Sequence, residues 1–75
     1  MKRMHSEEYK KLGLNITYCR KERGLSQIQL AEAVDISRTH ISRIENNDCA
    51  VSLDVIFSIA KALNIPVVKL FEFRD

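Results

Sequence analysis

Five polar side chains crowd into the stretch SRTHISRIEN, residues 37–46: Arg38, Thr39, His40, Ser42 and Arg43. A guanidinium is a planar, permanently charged fork of donors that fits paired acceptors, either two phosphate oxygens or the O6/N7 edge of a guanine. The hydroxyls of Thr39 and Ser42 suit phosphate oxygens and base edges, and a threonine methyl can meet a thymine methyl. Such a set can hold and read a polyanion. Nothing in it activates a nucleophile.

Catalytic and metal-binding patterns are missing from the rest of the sequence. His5 and His40 stand far apart, neither lies at ligand spacing from Cys19 or Cys49, and no glycine-rich phosphate loop occurs. We expect no enzyme activity, no metal and no cofactor. Cys19 falls on the apolar seam of a helix and Cys49 in a loop, so both are expected to be reduced thiols of a cytoplasmic protein. No apolar run reaches the roughly 18 residues of a membrane span, and no secretory signal is visible.

A helix must carry the polar set. On a wheel of roughly 100° per residue with Ile41 facing inward, Ile44 and Glu45 stay within about 60° of it. Thr39, Ser42 and Arg43 fall roughly 100–200° away, with Arg38 and His40 flanking them at the helix start. That start is marked by a device that recurs along the chain: Leu25-Ser26…Leu30, Ile36-Ser37…Ile41 and Val51-Ser52…Ile56. Each is a serine N-cap with a hydrophobic staple, and Gln29 completes a capping box in the first. Helices are therefore predicted to begin near Gln27, Arg38 and Leu53.

Upstream, Ser6 with Glu7 and Glu8 marks an earlier helix bearing Tyr9, Leu12, Ile16 and Cys19, and Gly24 stops it. Downstream, Leu53, Ile56, Ala60 and Leu63 form the stripe of a helix that Asn64 can end. Pro66 opens a last helical turn carrying Val67, Leu70 and Phe71. The fold expected is all-α, five helices in one domain over residues 6–75, with residues 1–5 disordered. The second helix ends near Ala33 and the third starts near Arg38, so a sharp helix-turn-helix elbow of about four residues joins them.

Composition agrees with this outline. The 75 residues are 45% apolar and 29% charged, the proportions of a small globular domain. Net charge is only +2, but residues 1–43 hold nine basic against five acidic side chains and residues 44–75 hold three against five. The positive excess thus lies in the part that includes the polar helix. Val55, Phe57, Val68 and Phe73 point away from the core stripes and are read as a two-fold patch. Such a patch would space two copies of the polar helix about one DNA turn apart, ~34 Å.

The runs GLSQIQLAEAVDISRTHISRIENN and SLDVIFSIAKALNIPVVKLF resemble the phage Cro and repressor family of the xenobiotic-response-element type, over nearly all of residues 12–71. Gln27, Leu30, Ala31, the turn at Asp35, Ile41, Ile44 and Glu45-Asn46 carry the likeness. It implies a compact lambda-repressor-like domain that binds a palindromic double-stranded DNA operator as a homodimer and regulates transcription, with its third helix in the major groove. It also implies that Arg38, Thr39 and Arg43 read bases, that Ser37 and His40 border the groove, and that Ser26, Gln27 and Asn46 hold phosphates. A structural ion pair between Arg20 and Glu45 is implied too; Arg23 is a geometrically possible alternative to Arg20. The competing expectation is an interaction module with a protein partner, for instance the antitoxin partner of a toxin; within the DNA-binding reading the domain also resembles the controller proteins of restriction–modification systems. The family turn prefers Gly where this chain has Asp35, a residue that tolerates the left-handed region. Relatives often have Pro in place of Val51.

Overall fold

A computed structural model describes residues 4–73. Four α-helices span Ser6–Glu22 (α1), Gln27–Val34 (α2), Arg38–Glu45 (α3) and Leu53–Leu63 (α4), and a 3₁₀ helix covers Val67–Phe71. The expected count of five α-helices is therefore one too many. The last element has only five residues and follows a proline, so short i→i+3 closure serves it: Lys69 N–H donates to Pro66 O at 3.0 Å.

The helix starts follow from the serines. Ser26 Oγ accepts the Gln29 N–H at 3.1 Å, Ser37 Oγ that of His40 at 3.0 Å, and Ser52 Oγ that of Val55 at 3.2 Å. Gln29 returns its side-chain oxygen to the Ser26 N–H at 2.8 Å and closes the capping box. The inner staple residues Leu30, Ile41 and Ile56 are buried, and Leu25, Ile36 and Val51 pack against them from outside the helices. α1 begins differently. His5, not Ser6, is its cap residue, with left-handed backbone (φ 62°) and no side-chain bond. Its carbonyl accepts the Tyr9 N–H at 3.1 Å. Within the segment expected to be disordered, Met4 and His5 lie in a turn, and residues 1–3 lie outside the described residues.

All four helices stop in the same way. Gly24, Asp35, Asn47 and Asn64 take positive φ values of 73°, 58°, 62° and 56°. The next residue's N–H then reaches back to a carbonyl five residues behind it: Leu25 to Arg20, Ile36 to Ala31, Asp48 to Arg43 and Ile65 to Ala60, at 2.8–3.1 Å. This Schellman arrangement satisfies carbonyls that a helix end leaves orphaned.

Ile16, Leu30, Ile41, Ile56, Ile59, Leu63 and Leu70, drawn from every element, make the fully buried centre. Leu53 does not join it. Expected on the core stripe of α4, it is 63% exposed, because it is the first residue of the helix and Val51 already closes that end of the core. Gly13 is a close-approach residue: a Cβ there would lie 2.7 Å from the carbonyl oxygens of Ile44 and Glu45, so its absence lets α1 seat against the end of α3. Asn47 Nδ2 donates to Ser6 O at 3.2 Å on the same side. Asn15 Nδ2 holds the terminal 3₁₀ helix through Leu70 O at 2.9 Å and Glu72 O at 3.3 Å.

Candidate nucleic-acid interface

The interface begins at the elbow between α2 and α3. Asp35 supplies its left-handed residue (φ 58°, ψ 44°), and the next two residues turn the chain back into the Ser37 cap. α3 has two unlike faces as a result. Ile41, Ile44 and Glu45 are buried beneath it. Arg38, Thr39 and Arg43 are exposed on the outside, and among the described residues their side chains enter no hydrogen bond or ion pair.

Around that face the other expected residues divide by environment. Ser37 is exposed with its hydroxyl committed to the cap, and His40 is half-buried beside it. Ser26 is likewise exposed and committed to capping α2. Asn46, at the end of α3, is exposed and donates from Nδ2 to Ser42 Oγ at 3.3 Å. Gln27 is half-buried, and its Nε2 donates inward to Glu45 Oε1 at 3.1 Å. This bond had no signal in periodicity or composition. Only a wheel for α2 placed against that of α3 in three dimensions would have suggested it.

Beneath the face lies an ion pair with both members 7% exposed. Arg20 Nε and Nη2 grip Glu45 Oε2 at 2.7 Å and Oε1 at 3.0 Å, while Nη1 donates to Leu25 O at 2.8 Å. One guanidinium therefore joins α1, the entry to α2 and the end of α3. Arg23, the geometric alternative, is exposed and donates instead to Asn64 O at 3.0 Å. Burial alone would raise the Glu45 pKa, but the Arg20 hydrogen bonds, the Gln27 amide and the nearby positive charge outweigh it. They hold the carboxyl below the usual range.

The apolar residues expected at a dimer surface split in two. Val55 and Phe73 are half-buried and pack on the chain's own core, so they serve the single domain first. Phe57 and Val68 are open, 49% and 60% exposed, and Leu53 and Phe71 are exposed as well. Cys19 and Cys49 are free thiols; burial and then Glu22 push the Cys19 thiol up in pKa. Among the described residues no three His, Cys, Asp or Glu side chains gather as a metal site, and no helix is long and apolar enough to cross a membrane.

What the geometry offers is a short, donor-rich helix face exposed above a buried side tied to α1 and α2. Comparison with known proteins places this arrangement. The profile of the HTH_3 helix-turn-helix family matches residues 16–70. The chain is 41% identical over 59 residues to the control protein C.SmaI of Serratia marcescens, covering 79% of this chain and 70% of that one. It is 41% identical over 56 residues to an immunity repressor protein of Bacillus phage phi105, covering 75% of this chain but only 39% of the repressor. Among solved structures, the restriction–modification controller protein C.AhdI from Aeromonas hydrophila superposes with a TM-score of 0.84 at 32% identity, covering 87% of this chain and 98% of that one. The chain belongs to the HTH_3 helix-turn-helix family, a family of DNA-binding transcription regulators of the xenobiotic-response-element type.

Proposed function

We propose that the protein regulates transcription by binding a palindromic DNA operator as a homodimer, with α3 in the major groove. One observation carries the reading: Arg38, Thr39 and Arg43 are exposed on one face of α3, uncommitted to any internal bond among the described residues. In this reading Arg38, Thr39 and Arg43 contact base edges, and the arginines pair with guanine O6/N7. Ser37 and His40 lie at the groove edge. Ser26, Gln27 and Asn46 fix the register on the phosphates, and the N–H groups at the start of α2 favour the same anions. The second copy docks through Phe57 and Val68, with Leu53 and Phe71 at the margin and Val55 and Phe73 supporting from below.

Selection of binding sites from random duplexes, with each selected site titrated at two salt concentrations, tests this function. The reading predicts a two-fold symmetric consensus and an affinity that falls steeply with salt, as phosphate neutralisation requires. An interaction module that uses the apolar surface for a different protein, as an antitoxin does, predicts no enriched sequence at all.

A further inference from the structure

The buried ion pair has a third member, and that member reaches the surface. Glu45 Oε1 accepts from Arg20 Nη2 at 3.0 Å and from Gln27 Nε2 at 3.1 Å. A carboxylate can only accept, so it dictates which end of the Gln27 amide turns inward. Nε2 must face Glu45. One of its hydrogens is committed there, and the other has no partner among the described residues.

Gln27 is the first residue of α2. On that same turn Ser26 satisfies the N–H groups of Gln29 and Leu30, while those of Gln27 and Ile28 have no acceptor among the described residues. The remaining amide hydrogen therefore stands beside backbone donors that also lack partners. Arg20 makes the arrangement compatible with an anion. Its guanidinium offsets the Glu45 charge, which would otherwise repel a phosphate approaching Gln27.

We propose that Glu45 is a positioning residue for phosphate binding: it aims the Gln27 amide so that Nε2 donates inward to the carboxylate and outward to a DNA phosphate. The proposal rests on the DNA-binding reading above. It gives the buried pair a part in affinity as well as in packing, and it leaves base preference untouched, because Gln27 and Glu45 meet no base.

A double-mutant cycle tests it. The full chain, Gln27→Met, Glu45→Gln and the double variant are titrated with the duplex that the wild type selects, each well below its melting temperature. Gln27→Met is expected to weaken binding about tenfold, the loss of one hydrogen bond to a charged oxygen. Glu45→Gln should weaken it in the wild-type background and add nothing once Gln27 is Met, and all variants should select the same sequence. Effects that multiply in the double variant, or Gln27→Met at wild-type affinity, overturn the proposal.

Should Glu45→Gln not fold, the wild type alone answers through its side-chain amide resonances. On adding the duplex, one Gln27 amide proton should shift while its geminal partner holds; two unmoved protons overturn the assignment. A wild type that selects no duplex overturns the DNA reading and this proposal together. Binding that Arg43→Ala impairs and Gln27→Met does not overturns the positioning role alone.

Discussion

Arg43 and Glu45 are two residues apart on α3 and face opposite worlds. Arg43 is exposed and uncommitted, whereas Glu45 is 7% exposed and closed in by Arg20 and Gln27. If Arg43 forks onto a guanine, Arg43→Ala should cost about 1–3 kcal/mol of operator binding and relax the consensus at one position per half-site. Repeating the site selection with the variant checks this. An unchanged consensus and affinity would remove Arg43 from the reading face. Glu45 predicts a pH dependence of stability instead. Its folded pKa lies below the unfolded value of about 4.3, so its contribution is complete above that pH and disappears as the pH falls through the lowered folded pKa. Denaturant midpoints measured from pH 6 to pH 3 should fall more for the wild type than for Glu45→Gln. Parallel curves would mean that the pair is not held as the hydrogen bonds place it.

The elements are set by their ends more than by their middles. Asp35 occupies a left-handed position that costs most L-residues about 1–2 kcal/mol. Asp35→Gly is therefore expected to be neutral or stabilising, and Asp35→Val to destabilise by roughly that amount; equal melting temperatures for all three proteins would rule out the left-handed elbow. Gly13 poses the opposite case. Gly13→Ala should raise helix propensity by about 1 kcal/mol, yet its methyl would lie 2.7 Å from two carbonyl oxygens of α3, and overpacking against backbone typically costs about 1–3 kcal/mol or more. A net loss in melting temperature is expected, and a gain would show that α1 can stand off from α3 freely.

These ends also explain what was legible in the sequence. Ser26, Ser37 and Ser52 sit between the two members of a staple, a local pattern, so the helix starts at Gln27, Arg38 and Leu53 could be read directly. Gly24 and Asn64 were legible as stops for the same reason, whereas the left-handed turn at Asp35 came from the family resemblance. Asn47 was not legible, because Asp48 follows it where an apolar residue marks the other three turns. Gly13, the Gln27–Glu45 bond and the exposure of Leu53 are matters of how helices meet, which a one-dimensional pattern does not contain. The outward face of α3 was visible on a wheel, but the division of the apolar surface was not. Val55 and Phe73 look surplus until the terminal 3₁₀ helix and the neighbouring side chains are in place around them.

At the scale of the whole molecule, size limits how the operator can be read. The longest Cα extent of the described residues is 31 Å. Successive major-groove faces on one side of a duplex lie ~34 Å apart, further than the described residues of one copy extend. In the reading proposed above, a symmetric operator is met by two copies joined on a surface away from α3, and the exposed Phe57 and Val68 are the residues assigned to it. The support beneath α3 is well suited to transmit that spacing. Arg20, Glu45 and Gly13 tie α1 to the end of α3, and the Ile41 and Leu30 layers tie α3 to α2.

The most direct measurement is methylation interference at guanine N7 across the selected operator, since that methyl blocks an acceptor in the major groove and leaves the minor groove open. With α3 in the groove and two copies bound, methylation should abolish binding at two clusters of guanines about ten base pairs apart, centre to centre. Binding indifferent to N7 methylation, or sensitive at one cluster alone, would contradict the account.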